Sequence, residues 1–309
     1  MTKANFFSQG AWPTMVTPFR EDGSLDYNAL GSMTEWYIGN GADGLFAACQ
    51  SSEIFNMSLR ERVNLSRFVK EQAAGRVPVI ASGHISSDPE DQAKELAEIA
   101  ETGVDAVVLI SNRLAAPYES DDILLERLNK LVEALPKEIS LGFYECPYPY
   151  KRLLTPAVLK YCVSSGRVRF LKDTCCDVDQ IEEKLRILKG SEMRLYNANT
   201  ATLTESLRRG AAGYSGVMAN FQMKLYSWLV RNWETQPEPA QEVQDVLTVC
   251  SYVEMKNYPA NAKYFLNLCG LPVMEHARKG RLTLQSKTEV LELKQIYDLT
   301  KRLEIRLGI

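Results

Sequence analysis

Histidine is scarce in this chain of 309 residues, which contains only His84 and His276. Neither belongs to an H-x-x-x-H or comparable ligand spacing, so the usual pattern of a catalytic zinc site is missing. A G-x-S-x-G turn, which would present a nucleophilic serine, is missing too. We therefore expect both histidines to be structural, and we expect neither a metal nor a serine nucleophile in the chemistry.

Cysteine pairs with the spacing C-x-x-C are also absent. The seven cysteines are an odd number and lie scattered along the chain. The two that are adjacent, Cys175 and Cys176, cannot form a usual disulfide clamp. This usage favours a reducing compartment over a disulfide framework or a zinc site, and we expect a cytoplasmic protein.

Long apolar runs and basic blocks are absent as well. No apolar run approaches the roughly 18 residues of a membrane span, and the first thirty residues do not resemble a secretion signal. Lys and Arg number 36 against 39 Asp and Glu, a formal net charge of -3. These features argue against membrane or nucleic-acid partners, and we expect small-molecule ligands.

The sequence does contain a regular alternation of short β-branched or aromatic runs with longer amphipathic stretches. Eight strands are predicted, at residues 12–17, 44–49, 77–82, 106–111, 140–146, 168–174, 193–199 and 214–219. Alternating strands and helices are typical of a parallel sheet, and eight such units predict an α/β fold, a (β/α)8 TIM barrel, over residues 1–225. For residues 226–309 the sequence predicts a C-terminal helical extension. Helices are predicted at 223–233, 239–256, 260–269 and 287–307, with a loop at 236–239.

One glycine-rich segment, residues 39–44, matches the G-x-G-x-x-G pattern of dinucleotide-binding folds. That pattern requires a strand before it and a helix after it, whereas here a predicted helix precedes it and a strand follows. We interpret Gly41 as the end of a helix rather than as part of a nucleotide site.

Tyr144 and Lys172 stand near the carboxyl ends of the predicted fifth and sixth strands. Neighbouring barrel strands are about 4.8 Å apart, so the two side chains can meet at the mouth where barrel active sites lie. A phenol beside a lysine amine can serve as an acid–base group and a nucleophile. Each residue also has a simpler interpretation, since tyrosines often cap barrel interiors and lysines often extend to solvent.

The turn after the predicted second strand carries Gln50, Ser51 and Ser52 ahead of a helix that begins near Ser58. Hydroxyls and backbone amides at such a turn suit a carboxylate ligand. A plain capping loop is the alternative interpretation.

Together these segments resemble the dihydrodipicolinate synthase and N-acetylneuraminate lyase family along almost the whole chain. The matching segments are Gly10-Ala11-Trp12-Pro13-Thr14-Met15-Val16-Thr17-Pro18-Phe19, Gly41 to Glu53, Phe143-Tyr144-Glu145-Cys146-Pro147, Leu171-Lys172-Asp173, and Gly210-Ala211-Ala212-Gly213 with Ala219-Asn220. The segment 143–147 is similar to the Tyr-x-x-Pro motif of the family, and the segment 171–173 is similar to its Schiff-base lysine segment.

The resemblance implies a class I aldolase or lyase that binds pyruvate or another 2-oxo acid as an imine on Lys172. It implies that Tyr144 moves protons and that Ser51 holds the carboxylate. Gln50, Ser52 and Ser215 complete the predicted substrate-binding set. The protonated imine is itself the electron sink, so no metal or organic cofactor is expected. An aldehyde partner substrate and a homotetramer are also implied.

Three departures from the family pattern bear on the substrate. Gln50 stands where a relay hydroxyl is usual, and the segment 111–114 lacks the tyrosine that a neighbouring subunit supplies in the synthases, unless Tyr118 replaces it. Pro149 stands at the position, two residues after the proline of the Tyr-x-x-Pro motif, where the synthases have an arginine. Lys151 or Arg152 could substitute for that arginine.

These departures favour a 2-keto-3-deoxy sugar acid or related hydroxy-oxo acid as substrate. A synthase with rearranged anchors, and a non-catalytic small-molecule-binding relative, are the alternatives. Dehydration or decarboxylation through the same imine is a further variant.

Overall fold

A computed structural model describes residues 7–279 and 286–309. Its strands are β1 (Gly10–Ala11), β2 (Leu45–Ala48), β3 (Val79–Ser82), β4 (Ala106–Ile110), β5 (Ser140–Tyr144), β6 (Val168–Asp173), β7 (Arg194–Asn197) and β8 (Gly213–Tyr214). Its helices are α1 (Tyr27–Gly39), α2 (Leu59–Ala73), α3 (Pro89–Ala100), α4 (Ser111–Leu114), α5 (Asp121–Ala134), α6 (Pro156–Ser165), α7 (Val178–Leu188), α8 (Leu203–Arg208), α9 (Ala219–Asn232), α10 (Pro237–Ser251), α11 (Ala260–Leu268) and α12 (Lys287–Leu307).

The eight strands are parallel and follow the order β1-β8-β7-β6-β5-β4-β3-β2. The chain just after β1 closes this sheet: the amide of Met15 donates to the carbonyl of Phe46 at 3.0 Å, and the amide of Phe46 donates to the carbonyl of Pro13 at 3.1 Å. The predicted TIM-barrel fold is therefore confirmed. A closed parallel barrel places all eight carboxyl strand ends around one mouth.

Local sequence explains where several helices begin and end. Asp88 caps α3 by accepting from two backbone amides, and Ser58 and Glu61 form a reciprocal capping box on α2. After α1 the chain turns at Gly41 with φ +86°, a left-handed conformation that glycine adopts without steric cost. The interpretation of Gly41 as a helix terminator is confirmed.

Three predicted boundaries are wrong. Strand β1 pairs only at Gly10–Ala11, with an isolated bridge at Thr14, because Pro13 has no N–H to donate to a ladder. Strand β8 ends at Tyr214, and helix occupies residue 219 where strand was predicted. The predicted loop at 236–239 is the first turn of α10, since proline is favoured at the first position of a helix.

Beyond the barrel, the described residues fold mainly into helices, as predicted. Helix α9 continues through the predicted domain boundary after residue 225, and Gln222 in α9 donates from Nε2 to the Thr300 hydroxyl of α12 at 2.9 Å. A short 3-10 helix, Tyr252–Met255, follows α10. Within the described ranges, no helix has the length and apolar character that crossing a membrane requires.

Candidate active site

The two residues predicted to carry the chemistry are neighbours at the mouth of the barrel. Tyr144 and Lys172 are register partners on β5 and β6. The Nζ atom of Lys172 lies 4.1 Å from the centre of the Tyr144 ring. Both side chains are 3% exposed. The strand ends therefore bring an amine and a phenol together at one wall of the mouth.

A cavity of about 320 Å³ opens above these two residues. Its volume suits a small metabolite. Its lining comes from the barrel loops and from the C-terminal extension: Gln50, Ser51, Glu53, Tyr144, Pro147, Lys151, Lys172, Thr174, Cys176, Ala198, Asn199, Gly216, Val217, Glu254, Met255, Tyr258, Pro259 and Lys279. The extension thus forms one side of the site.

Burial changes the acidity of both central groups. Loss of hydration lowers the pKa of the Lys172 amine below its ordinary value. The same loss of hydration raises the pKa of the Tyr144 phenol well above its ordinary value. A lowered amine pKa increases the neutral fraction that can attack a carbonyl, and a raised phenol pKa keeps the proton on Tyr144.

Gln50 lies directly against the tyrosine. The Tyr144 hydroxyl donates to Gln50 Oε1 at 3.1 Å, and the Cys146 thiol donates to the same oxygen at 3.3 Å. The residue that replaces a relay hydroxyl is therefore in contact with the phenol as an acceptor.

Ser51 and Ser52 are placed differently although they are adjacent. Ser51 lines the cavity, and its hydroxyl donates to the Thr14 hydroxyl at 3.2 Å. Ser52 lies outside that lining, and its hydroxyl donates to the carbonyls of Met15 and Ala47 at 2.7 and 2.8 Å. The position of Ser51 suits its predicted role with a carboxylate, whereas the hydroxyl of Ser52 holds the loop together.

Ser215 follows β8 and is fully buried, with a hydroxyl that has no hydrogen-bond partner among the described residues. It is not among the residues that line the cavity. Its predicted contact with substrate stays a prediction.

Several lining residues were not predicted, and they come both from the barrel loops and from the C-terminal extension. Tyr258 supplies a second phenol whose pKa is raised by burial and lowered in part by a hydrogen bond with Ser51. The side-chain amide of Asn220 donates to the Tyr258 hydroxyl at 3.2 Å. Glu254 and Lys279 add charges to the mouth. No local pattern in the sequence shows that the extension folds back over the barrel.

A buried ion pair fixes part of this mouth. Lys263 Nζ contacts Glu53 Oε1 at 2.8 Å, and the amides of Arg278 and Lys279 donate to Glu53 Oε2 at 2.6 and 2.8 Å. Glu53 therefore joins the loop after β2 to the extension and sets the position of Lys279.

Neither histidine is among the residues that line the cavity. His84 is fully buried, and its Nε2 accepts from the amide of Ile110 at 2.6 Å. Loss of hydration lowers the pKa of His84 to about 4, so the ring is neutral near pH 7. His276 is exposed.

Comparison with known proteins agrees with this architecture. The model of the Dihydrodipicolinate synthetase family matches residues 7–298. A 4-hydroxy-tetrahydrodipicolinate synthase of Clostridium perfringens is 29% identical over 69% of this chain and 70% of its own length. The enzyme of that name from a Thermoanaerobacter species is 26% identical over 90% of this chain and 95% of its own length.

Solved structures show the same fold. The 4-hydroxy-tetrahydrodipicolinate synthase of Methylacidiphilum fumariolicum SolV has a TM-score of 0.85 at 23% identity, covering 97% of this chain and 98% of its own. YagE of Escherichia coli K12, solved in complex with pyruvate, has a TM-score of 0.84 at 22% identity, covering 96% and 98%. The chain belongs to the dihydrodipicolinate synthetase family, and it is a class I carbon–carbon lyase, the type that forms a Schiff base with its substrate.

Proposed function

We propose that the protein forms an imine between Lys172 and the ketone of a 2-oxo acid of the pyruvate type, and makes or cleaves the adjacent carbon–carbon bond. The observation that carries this proposal is the buried Lys172 amine in the cavity wall, 4.1 Å from the centre of the Tyr144 ring. Lysine amines are rarely buried without a use, and this one has no ion-pair partner among the described residues.

The roles of the neighbouring groups follow from their positions. Ser51 faces the cavity with a hydroxyl for the carboxylate of the 2-oxo acid. Tyr144 delivers and removes protons at the imine, a contribution of about 100-fold to 10,000-fold to rate in comparable sites. The protonated imine accepts the electron pair of the broken bond, and the enamine then takes up a proton.

For the second half of the substrate, we propose a 2-keto-3-deoxy sugar acid or a related hydroxy-oxo acid. The contacts of the residues near Pro149 support this choice. The guanidinium of Arg152 donates to the Ala116 carbonyl at 2.7 Å and to Asp121 at 3.0 Å. These contacts use Arg152 to hold the loop, so it does not replace the missing arginine. Tyr118 is 90% exposed and does not line the cavity. Polar groups such as Asn199 and Glu254 suit hydroxyls.

The second candidate is 4-hydroxy-tetrahydrodipicolinate synthase activity, which the names of the curated relatives favour. In that case Lys151, which lines the cavity and donates to the Thr174 carbonyl at 2.7 Å, would replace the missing arginine.

A homotetramer and a cytoplasmic location stay predictions. Light scattering on the purified protein tests the homotetramer.

Borohydride reduction with pyruvate, followed by intact mass measurement and peptide mapping, tests the imine. We expect one stable adduct, on Lys172, and none in Lys172→Ala. Lys151→Ala is the matched control because this lysine lines the same cavity, and it should keep the adduct. An unmodified parent protein that still binds 2-oxo acids would instead indicate a non-catalytic binding protein.

A substrate screen separates the two candidate reactions. Pyruvate release from 2-keto-3-deoxy sugar acids is compared with condensation of pyruvate and aspartate semialdehyde. Turnover of the semialdehyde without cleavage of any sugar acid would overturn the preferred substrate class.

A further inference from the structure

Glu254 brings a carboxyl group from outside the barrel to the mouth of the site. It belongs to the 3-10 helix Tyr252–Met255 and lines the same cavity as Lys172 and Tyr144. The side-chain amide of Asn261 holds this helix by donating to the Val253 carbonyl at 2.7 Å and also to the Lys256 carbonyl. The backbone that presents Glu254 is therefore fixed from α11.

Glu254 differs from the other carboxyl group of the lining. Glu53 is paired with Lys263 and accepts hydrogen bonds from two backbone amides, so both of its carboxylate oxygens already have partners within the protein. In the described part of the chain, the side-chain carboxyl of Glu254 makes neither a hydrogen bond nor an ion pair, although its backbone belongs to the 3-10 helix. The remaining charged or titratable groups of the lining are Lys151, Lys172, Lys279, Tyr144, Tyr258 and Cys176. Glu254 is thus the carboxylate of this lining that remains available to a ligand.

The chemistry at the other end of the site leaves a role for such a group. The Tyr144 hydroxyl donates to the amide oxygen of Gln50, and an amide oxygen accepts a hydrogen bond without readily passing a proton onward. Tyr144 stands beside the Lys172 amine, where the imine forms. Cleavage also requires a base for the hydroxyl on the carbon that becomes the aldehyde.

We propose that Glu254 is the acid–base group for the aldehyde half of the reaction, facing the hydroxyl next to the bond that breaks. This inference rests on the proposed lyase function. In cleavage, the hydroxyl proton passes to the Glu254 carboxylate and the O–H electron pair becomes the carbonyl π bond. The carbon–carbon electron pair moves into the iminium, which becomes the enamine. In condensation, the protonated Glu254 returns the proton to the new alkoxide.

The surroundings of Glu254 shift its carboxyl group towards the protonated form. Although the residue is accessible to solvent, its carboxyl loses hydration at the mouth, which raises its pKa above the ordinary value, while the charge of Lys172 opposes the rise. A carboxyl with a raised pKa is a better proton donor and acceptor near pH 7 than an ordinary one.

The experiment measures the two halves of the reaction separately in Glu254→Gln. Exchange of the pyruvate methyl protons in deuterated water reports imine and enamine formation and needs no aldehyde. Cleavage of 2-keto-3-deoxygluconate, followed by pyruvate release, needs both halves. We expect methyl exchange to stay within about twofold of the parent and cleavage kcat to fall about 100-fold or more. Glu254→Asp should restore part of kcat.

Glu292→Gln is the matched control, because Glu292 lies beside the same segment and pairs with Lys256 at 2.7 Å without lining the cavity. It should change neither rate. Cleavage within about threefold of the parent in Glu254→Gln would overturn the inference, and so would a parallel loss of exchange and cleavage. Absence of methyl exchange in the parent protein would overturn the proposed function itself.

Discussion

Glu145 and Lys184 form a buried ion pair directly behind the two strand ends that carry Tyr144 and Lys172. Lys184 Nζ lies 2.6 Å from Glu145 Oε1 and 2.5 Å from Asp173 Oδ2. Both carboxyl groups are fully buried. Two carboxyls that share one ammonium cannot both ionise freely, and burial raises the pKa of Glu145 to about 7. The cluster joins the ends of β5 and β6 to α7.

Replacing Lys184 with methionine should therefore destabilise the protein strongly. The change removes the one cation of the cluster and leaves the buried carboxyl groups of Glu145 and Asp173 with backbone amides as hydrogen-bond donors but with no opposite charge. Breaking a buried pair in this way typically costs about 3–5 kcal/mol. Urea denaturation measures the change in unfolding free energy. Lys130→Met, which removes an exposed ion pair with Glu126, is the control and should leave stability nearly unchanged. Equal effects of the two substitutions would contradict the prediction.

Tyr144→Phe should separate imine formation from proton transfer. Phenylalanine keeps the ring that packs edge-on against Phe46 at 5.9 Å and that lies under the Lys172 amine. It removes only the hydroxyl that donates to Gln50. We expect turnover to fall by about 100-fold to 10,000-fold, while borohydride still traps pyruvate on Lys172. Steady-state kinetics and mass spectrometry measure the two quantities. Full turnover in this variant would exclude Tyr144 as the proton carrier.

The sequence predicted the barrel and the central pair because both depend on local patterns. Strand periodicity places Tyr144 and Lys172 at neighbouring carboxyl ends, and parallel register then brings them together. It did not predict Glu254, Tyr258 or Lys279, because these reach the mouth through long-range packing of the extension. The contact between Glu53 and the amide of Lys279, for example, joins residues 226 positions apart.

Local chemistry also explains the strand errors. Pro13 removes a backbone donor from the predicted strand 12–17, so the pairing of β1 is confined to Gly10–Ala11. Gly213, with φ +151°, lies so close to Gly10 that a Cβ atom on Gly213 would fall 1.8 Å from the carbonyl oxygen of Gly10. The predicted strand after Tyr214 instead leaves the sheet towards α9. Ser215 consequently lies beyond the end of β8.

Ser51 and Ser52 are adjacent, but we expect the first to affect substrate affinity and the second to affect the free energy of unfolding. Ser51→Ala should raise the pyruvate KM by roughly 10-fold to 100-fold, because a hydrogen bond to a charged carboxylate contributes about 1.5–3 kcal/mol. Ser52→Ala should instead lower the unfolding free energy by about 1–3 kcal/mol, because its hydroxyl holds the Met15 and Ala47 carbonyls. Pyruvate kinetics and thermal unfolding distinguish the two effects. The reverse pattern would assign the carboxylate contact to Ser52.

His84 should make the stability of the protein depend on pH. Its folded pKa is about 4, against 6.5 for the ordinary group, because burial disfavours the charged ring. The unfolded chain therefore binds a proton that the folded chain does not, between these two values. Stability is full above about pH 6.5 and falls as pH decreases towards 4, by roughly 3 kcal/mol from this residue.

His84→Gln tests this dependence, because glutamine can keep an acceptor for the Ile110 amide but does not titrate. The free energy of unfolding, measured by urea titration at several pH values, should lose part of its slope between pH 6.5 and 4. His276→Gln makes the same substitution at the exposed histidine and is the matched control. An unaltered slope in His84→Gln would mean that the imidazole is protonated in the folded protein as readily as in the unfolded chain. That result would be incompatible with Nε2 acting as the acceptor for a buried backbone amide.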